Sequence, residues 1–261
     1  RQAATVPPGG GRRVASNAVW NVLGVGSSAL VALGVPPFVA RLLPPSEFGA
    51  WSLMMQLAGY VNLLGFGLQI VLARHVAVTH AEGDAATRRA LVSTAFWGLA
   101  ALAAFAVVAV ALGAPWAGAA FPVLAASTHG GGGAALLWLT SAFAVLLPTS
   151  ALAAVFVGEQ RSEVPALVTA ATRLTAATAV VLAAWMTRDL RAMAVAFLLA
   201  CCGGAAAQWL LWRLRTTEPR LAIADASRSS LARVWDECRG VTEWNLCMLL
   251  VSGLNLVLVG H

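Results

Sequence analysis

Seven apolar runs separated by short polar breaks make up most of the chain, at about 15–40, 50–73, 91–113, 134–157, 166–187, 192–212 and 242–260. Each has roughly the 20 residues that a helix needs to cross the ~30 Å hydrocarbon core of a bilayer. Hydrocarbon offers the backbone no hydrogen-bond partner, so single crossings of this length are predicted to be helical throughout. Turn-forming and charged residues mark the breaks: Pro44-Pro45, "THAEGDAATRR", "GAPWAGAAFPVLAASTHGGGG", "GEQRSEVP", "TRDLR" and the stretch from Arg213 to Gly240. The pattern predicts an all-α fold, a polytopic integral membrane helical bundle of about seven transmembrane helices.

The first break, "RLLPPSEFGAWSL" from Arg41 to Leu53, carries its own chemistry. Pro36 and Pro37 just before it lack amide donors and clash with the preceding turn, so they are expected to end the first helix. Pro44 and Pro45 are expected to fix an extended connection, Ser46 to cap the second helix and Gly49 to allow close approach. Such a turn holds two helices in fixed register while others move; an ordinary tight turn between spans is the competing reading. Pro148, in the middle of the fourth run, frees a carbonyl one turn earlier and allows a kink. Broken helices serve alternating access, although membrane helices also tolerate proline without any such role.

Composition agrees with the membrane reading. Of 261 residues 59% are hydrophobic and 11% charged. A soluble domain carries roughly a quarter charged residues, and this chain has too few to cover a water-facing surface. The net charge is +6, and all 17 basic residues are arginine. With no soluble basic domain to hold it, nucleic acid is excluded as a partner, and the arginines are read as orienting the helices and meeting anionic lipid.

With a cytoplasmic N-terminus, the inner segments hold Arg1, Arg12, Arg13, Arg74, Arg88, Arg89, Arg161, Arg213, Arg215, Arg220, Arg228, Arg233 and Arg239. The outer ones hold only Arg41, Arg188 and Arg191, and Arg173 lies within a span. This positive-inside bias puts the Pro44–Pro45 turn on the outer face. In the stretch 225–240, Leu231, Val234, Trp235 and Cys238 form one stripe among arginines, the pattern of an amphipathic helix at the inner interface.

Polar residues inside the spans are the candidate site, because each is costly in lipid and tends to face a bundle interior or a wet cavity. Asn17 and Asn21 share a face with Gly24 and Ser28; Asn62 and Gln69 share one with Gly65; Thr169, Thr172 and Arg173 fall together on the fifth span. Arg173 and Arg74 have the planar fork that binds phosphate oxygens bidentately, and the amides can exchange hydrogen bonds with sugar hydroxyls. Interhelical hydrogen bonding is the competing role for the amides, and snorkelling to the interface for Arg173.

Other chemistry is sparse. Cys201, Cys202, Cys238 and Cys247 lack zinc-ligand spacing and are read as small buried hydrophobes. No metal or cofactor is expected. Glycines 130–133 are not followed by the Lys-Ser/Thr of a phosphate loop and are expected to form a flexible external loop. That loop, 114–133, offers His129 but no Asp or Glu, so no catalytic residues are assigned and an enzyme is not expected. Glu243 is the one acid noted near a span. No cleavable signal peptide is expected from the Arg-, Pro- and Gly-rich start. A chain that begins without Met and stops at His261 in an apolar run is expected to be a fragment, open at its C-terminal end.

Three stretches carry a family resemblance. "PPFVARLLPPSEFGAWSL" resembles the first outer loop of bacterial polysaccharide flippases, the O-antigen-type exporters of the multidrug/oligosaccharidyl-lipid/polysaccharide superfamily. "NLLGFGLQIVLARHVA" resembles the end of that family's second helix, and "VSGLNLVLVGH" is similar to its seventh, with Asn255 where an Asp is common. The resemblance implies the N-terminal lobe of a larger two-lobe transporter: six helices over 1–212, a cytoplasmic connector over 213–241 and the first helix of the second lobe over 242–261. It implies a multi-pass protein of the bacterial cytoplasmic membrane that flips a polyprenyl-pyrophosphate-linked oligosaccharide. The expected partners are that lipid-linked oligosaccharide, membrane lipids and other polysaccharide assembly proteins. A drug/cation antiporter of the same superfamily, or a membrane glycan polymerase, are the alternatives.

Overall fold

The computed structural model describes residues 10–65, 67–116, 132–216 and 221–225 with Cys238 and Glu243, and for residues 10–18, 21, 23 and 25 the backbone alone. Among the described residues seven helices follow in order: α1 Gly10–Leu42, α2 Pro45–Gly59, α3 Leu68–Glu82, α4 Ala85–Gly113, α5 Gly132–Gly158, α6 Glu163–Thr187 and α7 Leu190–Arg215. Short 3₁₀ turns lie at Tyr60–Gly65, Ala114–Trp116 and Ile223–Asp225. Among the described residues, five stretches are long and apolar enough to cross a membrane, with α2 and α3 counted as one, and Gly26–Leu42 of α1 is a shorter apolar helix. Most of the predicted connector, His129, Cys247 and the seventh run lie outside the described residues.

Several local expectations are corrected. Pro36 and Pro37 do not end the first helix, which continues to Leu42 with both inside it. A proline's fixed φ is itself helical, and both rings sit on the exposed face, away from the packed one. The stop comes at Pro44–Pro45. Pro44 takes the N-cap position of α2 and Pro45 its first turn, where a missing amide costs nothing. Ser46 therefore does not cap: no side chain does, and the Phe48 amide donates to the Pro44 carbonyl at 2.9 Å. Gly49 faces open space, so it makes no close approach. Gly132 and Gly133 belong to the first turn of α5 rather than to a loop. Cys201 and Cys238 are buried as expected, whereas Cys202 is exposed. Pro148 lies inside α5, which runs unbroken from Gly132 to Gly158.

Helix α5 is the centre of the bundle, packing on α2, α3, α4 and α7, while α6 lies between α1 and α7. Two apolar cores result. At the end carrying the Pro44–Pro45 turn, Val39 of α1 and Leu43 just after it meet Trp51 and Met54 of α2, Leu139 of α5, Val180 of α6 and Met193 of α7. At the other, arginine-rich end, Leu72 and Val76 of α3 pack with Leu91 of α4, Val155 and Phe156 of α5 and Trp212 of α7. No described residue of α1 belongs to that second core. Helix α1 packs chiefly on α6.

Close helix approach is set by two glycines. A Cβ on Gly158 would lie 2.7 Å from the Ala73 carbonyl oxygen, and one on Gly204 would overlap the Thr172 side chain of α6. At the arginine-rich end, Asp84 caps α4 by accepting from the Thr87 amide at 3.0 Å.

Candidate functional site

The second span, expected as one helix over about 50–73, is instead two helices joined by an irregular segment. The stretch "GYVNLLGFG" explains the break, because three glycines in nine residues weaken the helix. Asn62 supports the 3₁₀ turn by donating from Nδ2 to the Gly59 carbonyl at 3.2 Å. Gly67 then takes a left-handed conformation, φ 66°, and caps α3. A side chain is disfavoured there, which makes glycine the natural residue at the break. Gly65 fits against Leu147 of α5, 3.5 Å from where its Cβ would be.

The first half presents a polar edge. Ala50, Trp51, Met54 and Ala58 of α2 point into the core, and Ser52, Gln56 and Tyr60 lie exposed on the other side. These three are one turn apart, about 6 Å per step. Beyond the break, Asn62, Gln69 and Arg74 are exposed as well. A ladder of hydroxyl, amide and phenol groups therefore runs along one side of the first half, and two amides and a guanidinium are exposed beyond the break. Hydroxyls and amides both donate and accept, so they can exchange hydrogen bonds with a polyol, and Tyr60 adds an aromatic face.

The other predicted residues divide. Thr169 and Arg173 are exposed one turn apart on α6. Thr172 is not with them: its side chain packs on Gly204, and its hydroxyl donates to the Val168 carbonyl at 2.7 Å. The backbone of Asn17 and Asn21 lies in α1, but their side chains are outside the described residues. Helix α6 packs chiefly on α1 and α7, and α2–α3 on α5, so Arg173 and the ladder sit on separate flanks of the bundle. Ser52, Gln56 and Tyr60 were not among the predicted residues. Their four-residue spacing inside an apolar run is the signal that would have found them.

Comparison with known proteins is consistent with this architecture. The sequence profile of a family described as polysaccharide biosynthesis protein matches residues 14–231. A Shigella flexneri protein that carries the name of an O-antigen transporter is 30% identical over 83 residues, 32% of this chain and 20% of that protein. Among solved structures, a transporter of the MOP superfamily from Pyrococcus furiosus superposes with a TM-score of 0.73 at 13% identity, over 91% of this chain and 53% of that one. An outward-facing multidrug resistance transporter of the MATE family in the same superfamily gives 0.66, also at 13% identity and the same coverage. The chain spans about half the length of the solved transporters that it resembles.

Proposed function

The chain belongs to the polysaccharide biosynthesis protein family, and from that premise we propose that it is the N-terminal lobe of a transporter. On this reading the full protein moves a polyprenyl-pyrophosphate-linked oligosaccharide across the bacterial cytoplasmic membrane by alternating access, with the N-terminus cytoplasmic and the Pro44–Pro45 turn outside. The protein does no covalent chemistry, and other polysaccharide assembly proteins supply and use what it moves.

One observation carries the reading: the exposed polar ladder Ser52, Gln56 and Tyr60 on a broken crossing, with Asn62, Gln69 and Arg74 exposed beyond the break. Polar side chains are too costly to face lipid without reason, and water or a polar cargo beside them removes the cost. Amides and hydroxyls suit sugar, and arginine suits pyrophosphate.

The test is glycan export by the full-length protein in cells lacking their own flippase. Gln56→Leu with Tyr60→Leu is expected to lower export at least tenfold at matched membrane levels. Near-normal export from that double variant would contradict the reading.

A further inference from the structure

At the arginine-rich end of α7, Trp209 and Arg213 are stacked, with the guanidinium carbon 4.6 Å from the ring centroid. Both are exposed, Trp209 by 42%, and their neighbours Leu210 and Leu214 by 52% and 73%. The stack occupies one face of the guanidinium and leaves its in-plane N–H groups for other partners. No described carboxylate or carbonyl takes them. Arg161 differs: its Nη1 donates to the Arg215 carbonyl at 3.0 Å and lies 4.0 Å from Glu159. The Glu159 carboxylate is thereby paired with another arginine, and Arg213 and the exposed Arg215 add positive charge at this end. A stacked guanidinium with no described carboxylate partner, at a membrane border beside exposed leucines, matches a phosphodiester joined to acyl chains. We propose that this end of α7 is a binding site for an anionic glycerophospholipid, with Arg213 taking the phosphate, Trp209 holding Arg213 in place, and Leu210 and Leu214 lying along the chains.

The site does not depend on the transport reading. It can be tested on the full-length protein, stripped of lipid in detergent and titrated with phosphatidylglycerol or phosphatidylcholine, with bound lipid counted by native mass spectrometry. Phosphatidylglycerol is expected to bind more tightly. Arg213→Gln should weaken it about fivefold, in line with roughly 1 kcal/mol for one arginine near anionic lipid. Arg213→Lys keeps the charge without the planar fork and should fall between, and Trp209→Leu should weaken binding about twofold or more. Arg191→Gln, at the opposite end of α7, should change nothing. Unchanged binding in Arg213→Gln, or an equal loss in Arg191→Gln, would overturn the proposal. So would displacement of phosphatidylglycerol by millimolar inorganic phosphate, or a preference for polyprenyl phosphate, which would assign the site to a free anion or to the transported lipid.

Discussion

Adjacent glycines in α7 test how tightly the lobe is built. A methyl at Gly203 would meet open space, and one at Gly204 would overlap Thr172. Gly203→Ala should therefore stabilise by about 0.5–1 kcal/mol, the helix preference of alanine over glycine. Gly204→Ala should cost about 1–3 kcal/mol through overpacking, measured as thermal unfolding in detergent. Equal effects at both positions would contradict the α6–α7 contact. The same contact explains why the predicted Thr169, Thr172 and Arg173 group was only partly legible. Spacing puts all three near one another on α6, but a small residue some thirty positions on, in another helix, decides which one is buried. Arg173 keeps its exposed place with Thr169. If it meets pyrophosphate, Arg173→Ala should abolish export and Arg173→Lys retain part of it; near-normal export from the alanine variant would remove it from the site.

Helix ends show where reading from residue type succeeds and fails. The polar turn at Asp84 was legible as a break, and Asp84 is the side chain that caps α4. Its hydrogen bonds to Thr87, side-chain bond first, hold its carboxyl below the usual carboxylate pKa of 3.8. A carboxylate depressed in the folded state adds stability above its unfolded pKa and loses it as pH falls through the lower folded value. Asp84→Ala should thus lower the unfolding midpoint at neutral pH, with the gap closing on strong acidification; a gap independent of pH would contradict the cap. Pro36–Pro37 misled because proline breaks a helix by steric and donor loss, and an exposed face at a helix's far end absorbs both. The break in the second span was hidden because its residues are as apolar as those of an intact helix, and only the glycines and the left-handed Gly67 betray it. Gly67→Ala should cost about 1–2 kcal/mol for the left-handed backbone. It should also slow export if the break is a working joint.

At the scale of the whole molecule, the membrane class, the helical bundle and most span boundaries were legible, because hydrocarbon leaves an apolar chain few ways to fold. The arrangement of helices was not, since apolar residues that look alike in sequence pack on different neighbours. Thus α5, not either terminal helix, is the centre, and α1 packs chiefly on α6. The predicted orientation can be checked with single cysteines and an impermeant thiol reagent: one replacing Ser46 in the hinge should be labelled from outside, and one replacing Gly83 should be protected. The central claim, that the broken crossing lines a water-filled path for the glycan, has a more direct test in a full-length protein whose native cysteines are replaced. Single cysteines are placed at Ser52, Gln56 and Tyr60, and at Met54 and Ala58 on the buried face of the same helix, and their rates with a small hydrophilic thiol reagent are measured in membranes. The account predicts fast reaction at 52, 56 and 60, slowed by added lipid-linked oligosaccharide, and little reaction at 54 and 58. Silence at all three ladder positions would contradict it.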